Sequence, residues 1–265
     1  MLRDRLRAGQ ACLGSYVTFP SPEIVEVFAG AGMDYVVIDL QHSSPDWGNL
    51  AHMVRAADAR GVAPLVRTYS HEPALLLKIL EIGAEGLVVP GVRGPDDIRA
   101  IAEAIYYPPL GRRGACGHTR VGGYNPRRAD FPEHMRRQNE RVWLWALLED
   151  PEAVSRAGEI AAVRPGAAAI GVGRGDLSTL LGLPGQIDHP DVVAAAESVI
   201  GQVAARSGGE CSSSVMIQRV WDIGEWRRRG CSLFTYNADA ILLMNAAREA
   251  VTAFRSATAE PSAAA

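Results

Sequence analysis

The segment AAAIGVGRGDLS, residues 167–178, joins an apolar run to a short helical pattern through a turn that contains three glycines. Glycine allows the backbone to turn sharply and to come close to a ligand, and Asp176 lies where the predicted strand gives way to the helix. Backbone N–H groups at such a turn can bind an anion, and the carboxylate can bind a hard cation. Most glycine-rich turns are only turns. The interpretation of this one therefore depends on what the rest of the chain places near it.

Apolar runs followed by helical patterns repeat along the whole chain. They span residues 14–19, 35–39, 63–67, 86–90, 142–149, 167–173, 210–215 and 233–236. Strands that alternate with helices at this spacing form a parallel sheet, and eight units close into a barrel. We predict an α/β fold, a single-domain (β/α)8 TIM barrel over residues 1–256. An open doubly wound sheet is the alternative, but no G-x-G-x-x-G turn follows the first strand to favour a dinucleotide.

Two segments do not follow the alternation. Residues 107–142 are rich in Gly, Pro and Arg and show no sustained period, which predicts a long connection of a kind that is often functional. Residues 257–265 are rich in Ala, Ser and Pro, which predicts a disordered tail. No shift in composition marks a second domain.

Composition limits the class of ligand. The net charge is -3, and no block of one sign predicts binding to nucleic acid or to an anionic membrane. No run approaches the roughly 18 apolar residues of a membrane span, and the charged start of the chain, residues 1–7, does not resemble a signal peptide. The four cysteines form no CxxC pair, and each is expected to be buried or half-buried. We therefore expect a cytoplasmic protein that binds a small molecule.

Reactive side chains of a barrel are expected at the carboxyl ends of its strands. The residues at those ends are Asp39, Gln41, His42, Arg67, Glu149, Asp150 and Asp176. Two neighbouring strand ends carry carboxylates, and further strand ends carry an arginine and a histidine. This combination predicts a divalent metal site with oxygen ligands. Each residue also has a structural interpretation: the acids as helix caps, Arg67 as their ion-pair partner, and His42 as part of a loop cap. Their convergence on one face favours the site.

Several segments resemble the HpcH/HpaI aldolase family, the metal-dependent class II pyruvate aldolases, over about residues 2–250. The segments are AGMDYVVIDLQH (31–42), Val66-Arg67, GAEGLVVP (83–90), YPPLGRRG (107–114), Glu149 and GVGRGDLS (171–178). The resemblance implies a carbon–carbon lyase that forms or cleaves a 4-hydroxy-2-oxo acid, from a 2-oxo acid and an aldehyde, through a pyruvate enolate stabilised by the metal.

The resemblance also implies roles for particular residues. Glu149 and Asp176 would be the ligands of a divalent metal ion, which could be Mg, Mn or Co. The substrate carboxylate would be held by the N–H groups near Gly175 and Asp176. Arg67 would bind the substrate at its keto oxygen and stabilise the enolate, and His42 would be the catalytic base.

The family resemblance further implies a homo-oligomer, a hexamer built as a trimer of dimers in which the last helix is exchanged between subunits. Glu81 lies where the family often has an acid that orients the histidine, and this acid can come from a neighbouring subunit. A Schiff-base mechanism is not expected, because Lys78, in the middle of a predicted helix, is the only lysine in the sequence.

The sequence also departs from the family pattern. Leu147 replaces a common Gln, Gln41 replaces a common acid, Arg174 replaces a proline, and residues 211–214 are unusually polar. We expect binding of a 2-oxo acid to be retained and the acceptor or the reaction to differ. Two alternatives therefore stay open: decarboxylation of oxaloacetate at the same site, and a barrel that binds metal and oxo acid without turnover.

Overall fold

Eight parallel strands close into a barrel in sequence order in the computed structural model, which describes residues 2–124 and 130–258. The strands are β1 (Cys12–Val17), β2 (Tyr35–Asp39), β3 (Ala63–Arg67), β4 (Gly86–Val89), β5 (Trp143–Leu148), β6 (Ala167–Val172), β7 (Ser212–Ile217) and β8 (Cys231–Ala238). Each strand pairs with the next, and β8 pairs with β1. The prediction of a (β/α)8 barrel is confirmed.

The described helices lie between and around these strands. They are α1 (Leu2–Arg7), α2 (Pro22–Gly30), α3 (Trp47–Arg60), α4 (Pro73–Ile82), α5 (Pro95–Ile105), α6 (Phe131–Arg141), α7 (Pro151–Ser155), α8 (Ala157–Ala161), α9 (Arg174–Leu180), α10 (Pro190–Arg206), α11 (Ile223–Arg228) and α12 (Asp239–Thr258). In residues 2–124 and 130–258, each helix is too short or too polar to cross a membrane.

Strand β2 shows how the barrel separates two cores. All five of its residues are buried, as expected for a strand covered on both faces. Val36 and Ile38 pack in the outer core beneath the helices. Tyr35 and Val37 pack inside the barrel. Side chains that alternate in this way fill the barrel axis and leave the carboxyl ends of the strands to form a site.

The connection predicted over residues 107–142 is partly wrong, because its last part forms α6 (Phe131–Arg141). No residue of α6 is buried, so the helix has no apolar stripe from which periodicity could be recognised. Charged pairs stabilise it instead: Arg136 contacts Glu133 at 2.7 Å and also pairs with Glu140. Residues 125–129 of the same predicted connection lie outside the described residues.

Other boundaries differ by smaller amounts. The sequence pattern predicts one helix over residues 151–162, which the structure divides into α7 and α8. It predicts another over residues 217–229, and this helix begins with a 3-10 turn at Val220–Asp222. The last helix, α12, continues to Thr258, so the first two residues of the predicted tail are helical. Residues 259–265 of that tail lie outside the described residues. Cys12, Cys211 and Cys231 are buried as expected, but Cys116 is exposed.

Candidate active site

A cavity of about 290 Å³ opens at the carboxyl ends of the strands. Its walls include five of the residues predicted from the sequence: His42, Arg67, Glu149, Gly175 and Asp176. These residues lie in or just after β2, β3, β5 and β6, so they are far apart in the sequence and come together only because the barrel is closed. The arrangement combines two carboxylates with a cation and an imidazole.

Asp39, at the end of β2, holds the arginine of this cavity in place. Arg67 Nε and Nη2 each donate to one oxygen of the Asp39 carboxylate, both at 2.8 Å. The pairing is direct because Asp39 and Arg67 are register partners on neighbouring strands. Asp39 is fully buried, and two parallel charged hydrogen bonds fix the plane of the guanidinium as well as its position.

The same carboxylate shapes the loop that carries the histidine. Asp39 accepts hydrogen bonds from the backbone N–H of Gln41 at 2.9 Å and of His42 at 3.3 Å. The imidazole of His42 is exposed at the cavity and makes no hydrogen bond to a described residue. Sequence analysis left Asp39 as a helix cap or as an ion-pair partner of Arg67, and the structure shows the ion pair. The contact with the His42 backbone was missed, and the three-residue spacing Asp39 to His42 was the available signal.

Tyr16 on β1 is a further cavity residue that sequence analysis missed. The Arg67 guanidinium lies over its ring, 4.4 Å from the ring centre, a distance at which a cation is attracted to an aromatic face. Burial raises the pKa of the Tyr16 phenol to about 12, although the charge of Arg67 opposes the increase. The phenol is therefore neutral near pH 7 and supports the arginine through its ring.

Glu149, directly after β5, packs against Gly173, the residue that follows β6. Its Oε2 accepts a hydrogen bond from Gly91 N–H at 2.8 Å. A Cβ atom at Gly173 would lie 2.7 Å from Glu149 Cγ and 3.1 Å from Oε1, so only glycine at this position leaves room for the side chain. Burial raises the pKa of Glu149, the nearby charge of Asp176 raises it further, and the Gly91 N–H opposes both effects.

These two carboxylates fit a divalent metal ion. Negative charge on Asp176 disfavours negative charge on Glu149, and a cation between them would relieve that repulsion. No cluster of three His, Cys, Asp or Glu in the described ranges could hold a metal. Two carboxylates are nevertheless a usual set for Mg²⁺, which keeps several waters and takes oxygen atoms from its substrate. The donors present therefore suit an open oxygen-ligand site.

Arg174 and Leu147, two of the departures from the family pattern, also lie in the cavity wall. The Arg174 guanidinium donates to the backbone oxygens of Met216 at 2.6 Å and Ile187 at 3.2 Å. It is 7% exposed and connects the end of β7 to the segment before α10. Leu147 places an apolar side chain on the same wall as Glu149.

Glu81 does not lie with the other predicted residues. It is on α4 and accepts a hydrogen bond from Arg113 Nη2 at 3.0 Å. Arg113 is buried and stacks over the ring of Tyr107, 4.6 Å from its centre. Within one chain, Glu81 therefore neutralises a buried arginine, and its contribution to a neighbouring subunit's histidine stays a prediction.

Barrel and cavity together define an enzyme of the (β/α)8 class with its reaction centre at the carboxyl ends of the strands. A sequence profile of the HpcH/HpaI aldolase/citrate lyase family matches residues 13–246. The chain belongs to this family, and it is a carbon–carbon lyase.

Individual relatives agree with this membership. A pyruvate aldolase of Rhizobium etli is 35% identical over 201 residues, 76% of this chain and 77% of the relative. A hydroxypyruvate/pyruvate aldolase of Pseudomonas aeruginosa is 29% identical over 264 residues, 98% of this chain and 95% of the relative. The crystal structure of an HpcH/HpaI aldolase from Desulfitobacterium hafniense DCB-2 matches with a TM-score of 0.90 and 29% identity, covering 100% of this chain and 99% of that chain.

Proposed function

We propose that the protein is a divalent-metal-dependent aldolase that forms or cleaves a 4-hydroxy-2-oxo acid through the enolate of pyruvate or a similar 2-oxo acid. The observation that carries the proposal is the convergence of His42, Arg67, Glu149 and Asp176 on one cavity. The relatives named as pyruvate aldolases support the same chemistry.

Breaking the carbon–carbon bond next to a ketone leaves negative charge that must be stabilised. A divalent cation such as Mg, Mn or Co, held by Glu149 and Asp176, would supply positive charge for the keto oxygen. Arg67 adds a second positive charge, and the Asp39 carboxylate holds its guanidinium in place before substrate binds. Because the guanidinium is already oriented, no side chain has to rearrange when the enolate forms.

The substrate carboxylate is held at the start of α9. In the first turn of a helix the backbone N–H groups have no acceptor within the helix, and those of Gly175 and Asp176 lie in this turn, at the cavity wall. Binding there orients the 2-oxo acid with its carboxylate towards α9 and its keto group towards Arg67.

His42 moves the proton. In cleavage, its imidazole removes the proton of the distal hydroxyl, directly or through a water molecule, and in condensation it returns that proton. The exposed position at the cavity suits this role, since the incoming aldehyde must reach the imidazole from solvent.

The proposal is tested by exchange of the pyruvate methyl protons with deuterated solvent. Metal-dependent exchange is expected, and its absence with Mg, Mn and Co would contradict an enolising enzyme. Glu149→Ala or Asp176→Ala should abolish metal binding by calorimetry. Asp150→Ala is the matched control, because this carboxylate caps α7 by accepting from Ala153 N–H at 2.8 Å, and it should keep both metal and exchange. His42→Ala should keep the metal and slow exchange.

The proposed hexamer, a trimer of dimers with exchanged last helices, is supported by α12. Asp239 fixes the start of this helix by accepting from the backbone N–H of Thr18 at 3.0 Å and of Phe19 at 2.9 Å. Beyond it, large apolar side chains are exposed: Ile241, Leu243, Met244, Val251 and Phe254. A face of this kind is typical of a protein interface. Light scattering should show a smaller assembly for Leu243→Glu and an unchanged one for Arg248→Glu on the same helix.

A reducing, cytoplasmic location completes the proposal. The four cysteines are free in the structure, as expected where thiols stay reduced.

A further inference from the structure

A single peptide group connects Glu149 to a histidine outside the cavity wall. The Pro90–Gly91 peptide follows β4, and its N–H donates to Glu149 Oε2 at 2.8 Å. The carbonyl oxygen of the same peptide, Pro90 O, lies 2.7 Å from His71 Nε2. Both ends of this peptide group are therefore hydrogen-bonded to side chains, one of them a carboxylate of the candidate metal site.

The chemistry of these contacts fixes the direction of both hydrogen bonds. A carbonyl oxygen can only accept, so His71 Nε2 carries a proton and donates it to Pro90 O. A peptide group that accepts at its oxygen becomes a stronger donor at its nitrogen, because the two hydrogen bonds polarise it in the same sense. His71 therefore strengthens the hydrogen bond that Glu149 receives.

The backbone around this peptide group does not fix its orientation. Gly91 has a φ of 65°, and glycine adopts positive and negative φ with similar ease. Rotation of the peptide plane would turn the N–H away from Glu149 and bring the carbonyl oxygen towards the carboxylate, so that two acceptors would face each other. The hydrogen bond from His71 to that oxygen opposes the rotation.

The fold places His71 beside this peptide group. His71 is half-buried and lies between β3, which ends at Arg67, and α4, which begins at Pro73. Within this connection Ser70 Oγ accepts a hydrogen bond from the backbone N–H of Glu72 at 3.1 Å. Strands β3, β4 and β5 are neighbours in the barrel, so the segments that follow them lie side by side at the carboxyl face.

We propose that His71 is a positioning residue for the metal site, because it holds the Pro90–Gly91 peptide so that the Gly91 N–H keeps Glu149 oriented towards the metal ion. The inference rests on the proposed function, in which Glu149 is a metal ligand. It adds a residue that does not line the cavity and whose loss weakens metal binding while both ligands remain.

The test compares His71→Leu with His71→Gln. Leucine has no donor, whereas the amide N–H of glutamine can take the place of the imidazole Nε2–H. Groups that orient a metal ligand contribute about 10- to 100-fold to affinity, and the lower end is expected because His71 acts through one peptide group. Calorimetric titration with Mn²⁺ should give a dissociation constant about tenfold above native for His71→Leu and within about twofold of native for His71→Gln.

Exchange of the pyruvate methyl protons separates metal affinity from catalysis. His71→Leu should be slow at low Mn²⁺ and should return to within about twofold of the native rate at saturating Mn²⁺, since it loses affinity for the metal and no group that touches substrate.

A further readout needs no metal. In a chelator, the amide proton of Gly91 in a proton–nitrogen NMR spectrum should move upfield in His71→Leu, because a weaker hydrogen bond deshields it less, and should stay near its native position in His71→Gln. Ser70→Ala is the matched control in the same connection. It removes the acceptor of the Glu72 N–H and should keep native Mn²⁺ affinity.

Two outcomes overturn the inference. Native Mn²⁺ affinity in His71→Leu would show that Glu149 is oriented without His71. Equal weakening in His71→Leu, His71→Gln and Ser70→Ala would show that the connection acts only through its fold. Failure of the proposed function is distinguishable from both, because Glu149→Ala would then bind Mn²⁺ as tightly as the native protein, whereas failure of this inference alone leaves Glu149→Ala without metal.

Discussion

Replacement of Gly173 by alanine should damage the metal site without unfolding the barrel. The added Cβ would lie 2.7 Å from Glu149 Cγ, whereas ordinary van der Waals contact begins at 3.4 Å, so the Glu149 side chain must move by about 0.7 Å. Metal–oxygen distances tolerate only about 0.2 Å. The displaced carboxylate would also lengthen its 2.8 Å hydrogen bond from Gly91 N–H. We expect the dissociation constant for Mn²⁺ to rise about 10- to 100-fold, as when a group that orients a ligand is lost.

Gly175→Ala is the matched control for this substitution. It lies two residues away in the same turn, and a Cβ there would meet no atom within 4 Å. Calorimetric titration with Mn²⁺ should give a nearly native dissociation constant for Gly175→Ala. In a chelator, thermal unfolding of both variants should lie within about 4 °C of the native protein, which corresponds to about 1 kcal/mol in a chain of this size. Native Mn²⁺ affinity in Gly173→Ala, or equal weakening in both variants, would refute the assignment of Glu149 as a ligand positioned by β6.

Two further predictions concern stability and thiol chemistry. Asp39→Asn breaks a buried ion pair, so it should lower the free energy of unfolding measured in urea by about 3 kcal/mol. It should also abolish nearly all exchange of the pyruvate methyl protons. Asp34→Asn is the control at the other end of β2. It loses contacts to Leu13 N–H and Arg5 but should keep proton exchange. Loss of exchange in both variants would contradict a local role for Asp39. Burial raises the pKa of Cys211 and Cys231 to about 12, so at pH 8 a thiol reagent should label exposed Cys116 and reach these two only after unfolding or as the pH approaches 12. Rapid labelling of Cys211 in the folded protein at pH 8 would show that it is not shielded.

Much of the fold could be predicted because each buried strand appears in the sequence as a short run of apolar residues. The run Tyr35–Ile38 is apolar throughout since it is covered on both faces, and the bounds of β2 and β3 agree with the prediction at every residue. The meeting of His42, Arg67, Glu149 and Asp176 follows from a general property of parallel barrels, whose strand ends share one face. By contrast, α6 carries no buried residue, so no apolar period could reveal it.

What the sequence by itself determined is the order of eight strands, the face at which the reactive side chains gather, and the family. Only the tertiary structure decided which side chains pair: Asp39 with Arg67 across neighbouring strands, and Glu81 with Arg113 away from the cavity. The physical reason is that periodicity reports how deeply a residue is buried on its own element. The atom it meets depends on the register between strands and on the closure of the barrel, which link residues that are distant in the chain.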